Sequence, residues 1–400
     1  MKIAHIIPYF QPKLGYQEFY LAREQQNMGH EVCVITSDRY FPFPNFSETV
    51  GNILGTRYVG SGIFHEEGIK VIRLPTLFEY TTYNFLLGLK KSLANFRPNV
   101  VHAHGASSPI TMATIALKAV LNYKVIVDCH MDYSLQSKSK VHSTFFYLWS
   151  QNPICRWLLR RADNYYAVAE SARRWLSKEW GISRKKISII PLGADPDIFS
   201  SDMFKRNYMR NKLKIAKDDV LILYAGKMHE NKDIDILVRA SSPLIKKYDN
   251  IKLILIGDGS KKYMDNLHKL IDEQNIVKNV LFYPFQSKTE LPYYYNAADI
   301  GVWPGQDSIT IVEAIATGLP VVIPFSYRNI HYIENGNGLH FLRGSWKELK
   351  ECLEKLVIDE ALRKNMFYKS QEITKKKLGW DVITKNTINF YEKTLDSKGF

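Results

Sequence analysis

Short apolar runs alternate with amphipathic stretches along the chain, and the order of elements follows from that alternation. Residues 2–9 (KIAHIIPY) read as a first buried strand, Gln17–Met28 as a helix stopped by Gly29-His30, and Glu31–Thr36 as a second strand. Gly15 sits in the loop between the first strand and this helix. Further strands are expected at Ile69–Leu74, Val100–His104, Lys124–Cys129, Asn164–Val168 and Ile187–Ile190. Helices are expected at Phe85–Asn95, Ile110–Leu121 and Ser171–Glu179. Strands that alternate with helices predict a mostly parallel, doubly wound α/β sheet.

The pattern pauses after Pro191–Asp195, and polar Asp197–Lys217 reads as a linker. It then restarts. Strand Val220–Ala225, the loop GKMHENKD, helix Ile234–Tyr248 and strand Lys252–Gly257 come first. GDGS (257–260) opens another helix, followed by strand Val280–Tyr283 and a short helix at Glu290–Ala297. Asp299–Trp303 closes a strand, Pro304–Ser308 is loop, and a helix runs from about Ile309 to Thr317. Gly318 stops that helix, Pro320 stands just beyond, and Val321-Val322-Ile323 begins the next strand. A chain of 400 residues with two such blocks fits two domains. No apolar run approaches the roughly 18 residues that a membrane-spanning helix needs, and Pro8 cuts the first run too short for a signal peptide.

A loop that feeds a helix N-terminus at the carboxyl end of a strand is where an open α/β sheet binds anions. Ser308, Ile309 and Thr310 occupy that place. Glu313 has two readings: the partner of Thr310 in an S/T-x-x-E capping box, or a carboxylate that accepts hydrogen bonds from ribose hydroxyls. Lys227 and Lys232 flank the turn after Val220–Ala225, either solvated or facing a pyrophosphate as point charges. His102, His104 and His130 lie at carboxyl ends of strands, and Asp128 and Asp132 flank His130. With no second histidine at metal spacing, His130 reads as a packing or hydrogen-bonding residue before a metal ligand.

The four cysteines show neither a CxxC pair nor metal-ligand spacing, which fits a reduced, cytoplasmic setting. The net charge of +14 at pH 7 is unevenly placed, with 16 Lys/Arg against 5 Asp/Glu between Phe85 and Lys186. That excess suits an anionic partner, and the basic, apolar stretch Cys155–Arg174 suits either a membrane surface or a helix covering the sheet. No nucleic-acid motif accompanies the charge, so nucleic acid is not expected as a partner.

Taken in order, these pieces resemble the retaining glycosyltransferases of group 1, also called family 4. The resemblance rests on the Gly15 loop, GHEV (29–32), VVHAHG (100–105), VDCH ending at His130 and IIPLGAD (189–195). It continues through GKMHENKD (226–233), GDGS, YYYNAADIGVWP (293–304), the run Glu313–Val322 and WDVITKNTINFYEKTL (380–395). It implies a GT-B fold, with two Rossmann-like domains facing a cleft. Residues 1–200 would form the acceptor side, 201–383 the nucleotide-sugar side, and helix 384–400 would return to the first domain. It also implies a nucleotide-sugar donor, a glycan or lipid-linked acceptor, transfer with retention and no metal; the cysteines and the basic excess point to a cytoplasmic protein that can sit on the inner membrane face. Gly15, Gly226, Lys227, Lys232, Asp307, Ser308, Ile309, Thr310 and Glu313 would bind the donor, with Lys227 and Lys232 on its pyrophosphate, Glu313 on the ribose and His130 beside the transferring sugar. One departure stands out. The family pairs glutamates eight apart, and eight before Glu313 is Gly305. A domain that binds sugar nucleotide or glycan without turnover is therefore the alternative.

Overall fold

The first sheet of the computed structural model, which describes residues 1–43, 45–80, 83–133 and 140–397, has eight strands. They are β1 (Lys2–Ile6), β2 (Glu31–Ser37), β3 (Gly62–Glu66), β4 (Ile69–Leu74), β7 (Val100–Ala103), β8 (Lys124–Cys129), β9 (Asn164–Ala167) and β10 (Ile187–Ile189), in the spatial order β10-β9-β8-β7-β1-β2-β4-β3. Every pairing is parallel except that of edge strand β3 with β4. Between β4 and β7 stands a separate antiparallel ribbon, β5 (Thr76–Tyr80) with β6 (Tyr83–Leu86). The second sheet is wholly parallel, in the order β13-β12-β11-β14-β15-β16. Its strands are β11 (Val220–Ala225), β12 (Ile251–Ile256), β13 (Val280–Tyr283), β14 (Ile300–Val302), β15 (Val321–Pro324) and β16 (Gly338–Phe341). VLILYA and IKLILI are nearly continuous in Val, Leu and Ile because helices cover both faces of such a sheet.

The chain forms two units, Met1–Pro191 with Ile383–Phe400, and Leu192–Val382. The boundary expected at 200/201 lies inside the second of these. In both sheets the strand order reverses about one central strand: β1 between β7 and β2, and β11 between β12 and β14. Ligands of open α/β sheets bind at the carboxyl ends on either side of such a switch point.

Two expected elements differ. The helix expected over Phe85–Asn95 begins only at Leu89, because Tyr83–Leu86 pairs with β5 and Gly88, at φ +89°, turns the chain before it. The linker Asp197–Lys217 contains a helix, Met203–Lys212. The Asp202 side chain caps it by accepting from the Phe204 and Lys205 N–H groups, and Arg206 and Arg210 bind it to Asp299. A further helix runs from Lys140 to Gln151. Among the described residues no helix is long and apolar enough to cross a membrane, and all four cysteines are free.

Candidate functional site

In the second unit the expected donor residues converge at the carboxyl ends of β11 and β14. Gly226 follows β11 at φ +153°, and a Cβ added there would stand 3.9 Å from Ser308 Oγ. The GDGS loop packs against it: a Cβ on Gly257 would meet Gly226 O at 1.9 Å, so glycine is required for the two backbones to touch. Lys227 is exposed. Lys232 ends a 3₁₀ turn, Glu230–Lys232, and its Nζ donates to the Gln306 and Asp307 carbonyls, both at 2.8 Å. Burial lowers this ammonium to a pKa of about 8 against the pull of Asp307, with Arg328 and Lys227 adding to the lowering.

Gly305 is a second close approach. A Cβ there would lie 2.4 Å from the Lys232 carbonyl carbon. The loop has no room for the glutamate that the resemblance leads one to expect. Asp307 does not stand in for it as a free carboxylate, since its oxygens meet Asn329 Nδ2 at 2.6 Å and Arg328 Nε at 3.1 Å. Gln306 is likewise engaged, its N–H donating to Asn231 O at 2.8 Å.

The capping-box reading of Glu313 fails. Ile309 is the N-cap of the helix Thr310–Ala316, and no side chain caps it. The Thr310 hydroxyl donates to Ala225 O at 2.9 Å and lies 2.8 Å from Ser308 Oγ, while Trp303 Nε1 also donates to Ala225 O, at 2.8 Å. Glu313 is left 3% exposed, and its Oε2 has no hydrogen-bond partner. Burial pushes its carboxyl up to about 7, with Lys288 and the neighbouring Tyr295 hydroxyl pulling the other way. A buried carboxylate oxygen without a donor is costly, and a hydroxyl-bearing ligand would relieve that cost.

In the first unit the histidines gather around Asp128, which the sequence reading named only as a neighbour of His130. Asp128 is fully buried. Its Oδ2 lies 2.6 Å from His104 Nδ1, 3.2 Å from His130 Nε2 and 3.3 Å from His102 Nε2, and its Oδ1 accepts from the Gly105 N–H at 2.8 Å. The partners fix the protons. Gln25 Oε1 only accepts, so His5 Nε2 donates to it at 2.7 Å. His5 Nδ1 then accepts from His104 Nε2 at 2.9 Å, and His104 Nδ1 donates to Asp128. His104 therefore carries both protons, and the Asp128 charge raises its pKa against burial. Burial and His104 lower His102 to about 4, and the Tyr391 hydroxyl stands 2.7 Å from its Nδ1. His5, His102 and His104 lie near enough to share an ion, but the described bonds already engage ring nitrogens of all three. Gly15, at φ +62°, closes the 3₁₀ turn Pro12–Leu14 just before the helix Gln17–Asn27. Glu18, in the first turn of that helix, is buried and has its pKa raised by burial.

The two-unit α/β architecture is that of the GT-B glycosyltransferases. The crystal structure of Anabaena HepE in complex with UDP superposes with a TM-score of 0.75 at 15% identity, covering 98% of this chain and 100% of that one. Residues 205–373 match the family described as glycosyl transferases group 1, and residues 19–198 match Glycosyltransferase Family 4. The chain belongs to the group 1 glycosyltransferases. An uncharacterised glycosyltransferase of Methanocaldococcus jannaschii is 25% identical over 239 residues, 58% of this chain and 60% of that protein. The alpha-monoglucosyldiacylglycerol synthase of Acholeplasma laidlawii is 26% identical over 223 residues, 53% of this chain and 54% of that one. The matches thus span under two thirds of these relatives.

Proposed function

We propose that the protein transfers a sugar from a nucleotide-sugar donor to a glycan or lipid-linked acceptor, with retention at the anomeric carbon, in the synthesis of a glycolipid or surface polysaccharide. The observation that carries this reading is Glu313, buried with an unpartnered Oε2 beside the Gly226–Lys232 and Gly305–Thr310 loops at the switch point of the second sheet. A structural neighbour and a relative support it by what their descriptions say of them: UDP bound to the Anabaena protein, and synthesis of alpha-monoglucosyldiacylglycerol by the Acholeplasma enzyme. The coarse class, a transferase of this family, rests on the family match.

In this reading Glu313 accepts hydrogen bonds from the ribose hydroxyls. Lys227 and Lys232 face the pyrophosphate, and Gly226, Ser308, Ile309 and Thr310 present backbone to it. Asp307 holds the sugar-side loop through Arg328 and Asn329. Gly15 and His130, from the first unit, are assigned to the donor phosphates and to a sugar hydroxyl. The bond from C1 to the β-phosphate oxygen breaks as the acceptor oxygen attacks from the same face, and the acceptor proton passes to the departing phosphate. The lysines supply positive charge where negative charge develops, so we expect no metal requirement. The four free cysteines support a cytoplasmic setting.

Gly305 favours a second reading, a domain that binds sugar nucleotide without turnover. A thermal-shift screen against UDP- and GDP-sugars in the presence of EDTA tests both. Stabilisation of the wild type but not of Glu313→Ala, with a product whose anomeric configuration by NMR matches the donor, supports transfer. Stabilisation without hydrolysis or transfer supports binding alone. No stabilisation by any sugar nucleotide sinks the donor site.

A further inference from the structure

We propose that Tyr224 is a positioning residue of the donor site, whose hydroxyl fixes the backbone from which Lys227 reaches the pyrophosphate. The inference rests on the donor reading of Lys227 and adds to it a side chain that touches no substrate.

Strand β11, VLILYA, is aliphatic at every position but one. Tyr224 is 1% exposed, and it alone brings a polar side-chain atom into that strand. A buried tyrosine needs a partner for its hydroxyl. Here the hydroxyl lies under the turn that leaves the strand and donates to the Lys227 carbonyl at 2.7 Å. Gly226 makes room for it. A Cβ on that residue would stand 3.1 Å from the Tyr224 hydroxyl oxygen and 3.5 Å from the ring carbon that bears it. The Tyr-x-Gly-Lys run therefore closes on itself, with the end of the strand holding the turn that follows.

The bonds on either side of Lys227 go to the neighbouring loop. Gly226 N–H donates to Ile256 O at 3.0 Å, and Met228 N–H donates to Asp258 O at 2.9 Å. The backbone is thus tied before, at and after Lys227, while the lysine side chain stays exposed. Of these ties only the one from Tyr224 comes from a side chain. A lysine side chain is long and flexible and acts as a point charge, so the place where it starts decides where its ammonium can go. Charge held in place before the reaction stabilises a departing phosphate most effectively. Burial, with Tyr263 adding, raises the Tyr224 pKa, so the hydroxyl remains a donor while Lys232 titrates at about 8. The next residue, Ala225, accepts from Thr310 and Trp303, so two consecutive residues of one strand set both donor loops.

Calorimetry of the full chain with UDP and with GDP tests this on the wild type, Tyr224→Phe, Lys227→Ala and the double variant. Tyr224→Phe removes one oxygen and keeps the ring. It should weaken binding of the nucleoside diphosphate about fivefold, the order expected for one buried hydrogen bond. Lys227→Ala should weaken it about tenfold. The double variant should bind as Lys227→Ala alone, because a support has no effect once the side chain it supports is gone. Tyr123→Phe, in the first unit, is the matched control, since that hydroxyl donates to the Thr114 carbonyl at the same 2.7 Å. It should lower the melting temperature as Tyr224→Phe does and leave nucleotide affinity unchanged. Wild-type affinity in Tyr224→Phe overturns the proposal. So does a double variant weakened by the product of the two single factors, which is what a general loosening of the loop would give. Undiminished binding in Lys227→Ala removes the donor role of that lysine, and the part assigned to Tyr224 goes with it. A wild type that binds neither nucleotide overturns the donor site and this inference together.

Discussion

Gly305 rests on the backbone of Lys232: a Cβ would come within 2.4 Å of the lysine carbonyl carbon and 2.5 Å of Asn231 O. The one departure from the family pattern is thus a packing requirement. Gly305→Glu, which would recreate the paired glutamates, should push Lys232 out of place instead of gaining a contact. Overpacking of this kind costs about 1–3 kcal/mol or more. A lowered melting temperature and no stabilisation by sugar nucleotides are expected. A variant with wild-type melting and tighter donor binding would show that the loop yields.

Lys232 should give donor binding an alkaline limit. Burial holds its pKa at about 8, so its ammonium is present below that value and is lost as pH rises through it. Donor affinity, measured by calorimetry from pH 6 to 10, should be level at first and then fall, with the limb moved upward by a bound anion. Lys232→Ala should lower turnover about a hundredfold with the fold intact. In Lys232→Arg, charged throughout, any remaining binding should lack the limb.

Glu313 sets stability against binding. Its folded pKa of about 7 lies above the ordinary value of 4.5, so the folded protein holds an extra proton between those values. Stability contributed by this group is therefore present at low pH and falls as pH rises from about 4.5 to about 7. Glu313→Gln should recover up to about 3 kcal/mol at pH 8 while weakening the donor. Denaturant melts at pH 5 and pH 8 separate the effects: the gain should appear only at the higher pH.

Asp128→Asn removes the charge that keeps His104 doubly protonated. The Asp128 carboxyl is held well below its usual range, against burial, by His104, His130 and His102. Its share of stability is present above the usual carboxylate pKa and is lost as pH falls through the lowered one. The His104 share is lost as pH rises through the raised value of that group. Breaking such a buried pair costs about 3–5 kcal/mol. An NMR titration should find His104 protonated at neutral pH in the wild type and neutral in the variant.

The parallel core was legible because VLILYA, IKLILI and KVIVDC can serve only as buried strands between helices. The β5–β6 ribbon was not, since TLFEY and YNFL leave apolar residues in solvent and carry no inward alternation. The helix Met203–Lys212 was hidden by its polarity; it is held by Asp299, about ninety residues away. For Glu313 the sequence offered both a cap and a ligand contact, and the cap lost because Ala225 takes the Thr310 hydroxyl. The Asp128 network could not be read at all. His5, Gln25, His104, Asp128 and Tyr391 meet only after the sheet and the last helix have formed.

Tyr391 reaches His102 across 289 residues of sequence, so the first unit is finished by the last helix of the chain. The second unit is in effect inserted into the first, and its own ends are tied together where Ala194 N–H donates to Leu378 O and Trp380 N–H to Ala194 O. His102 therefore gains its last partner only after the whole of segment 192–382 has been made, so the unit that is begun first depends on residues that follow the other.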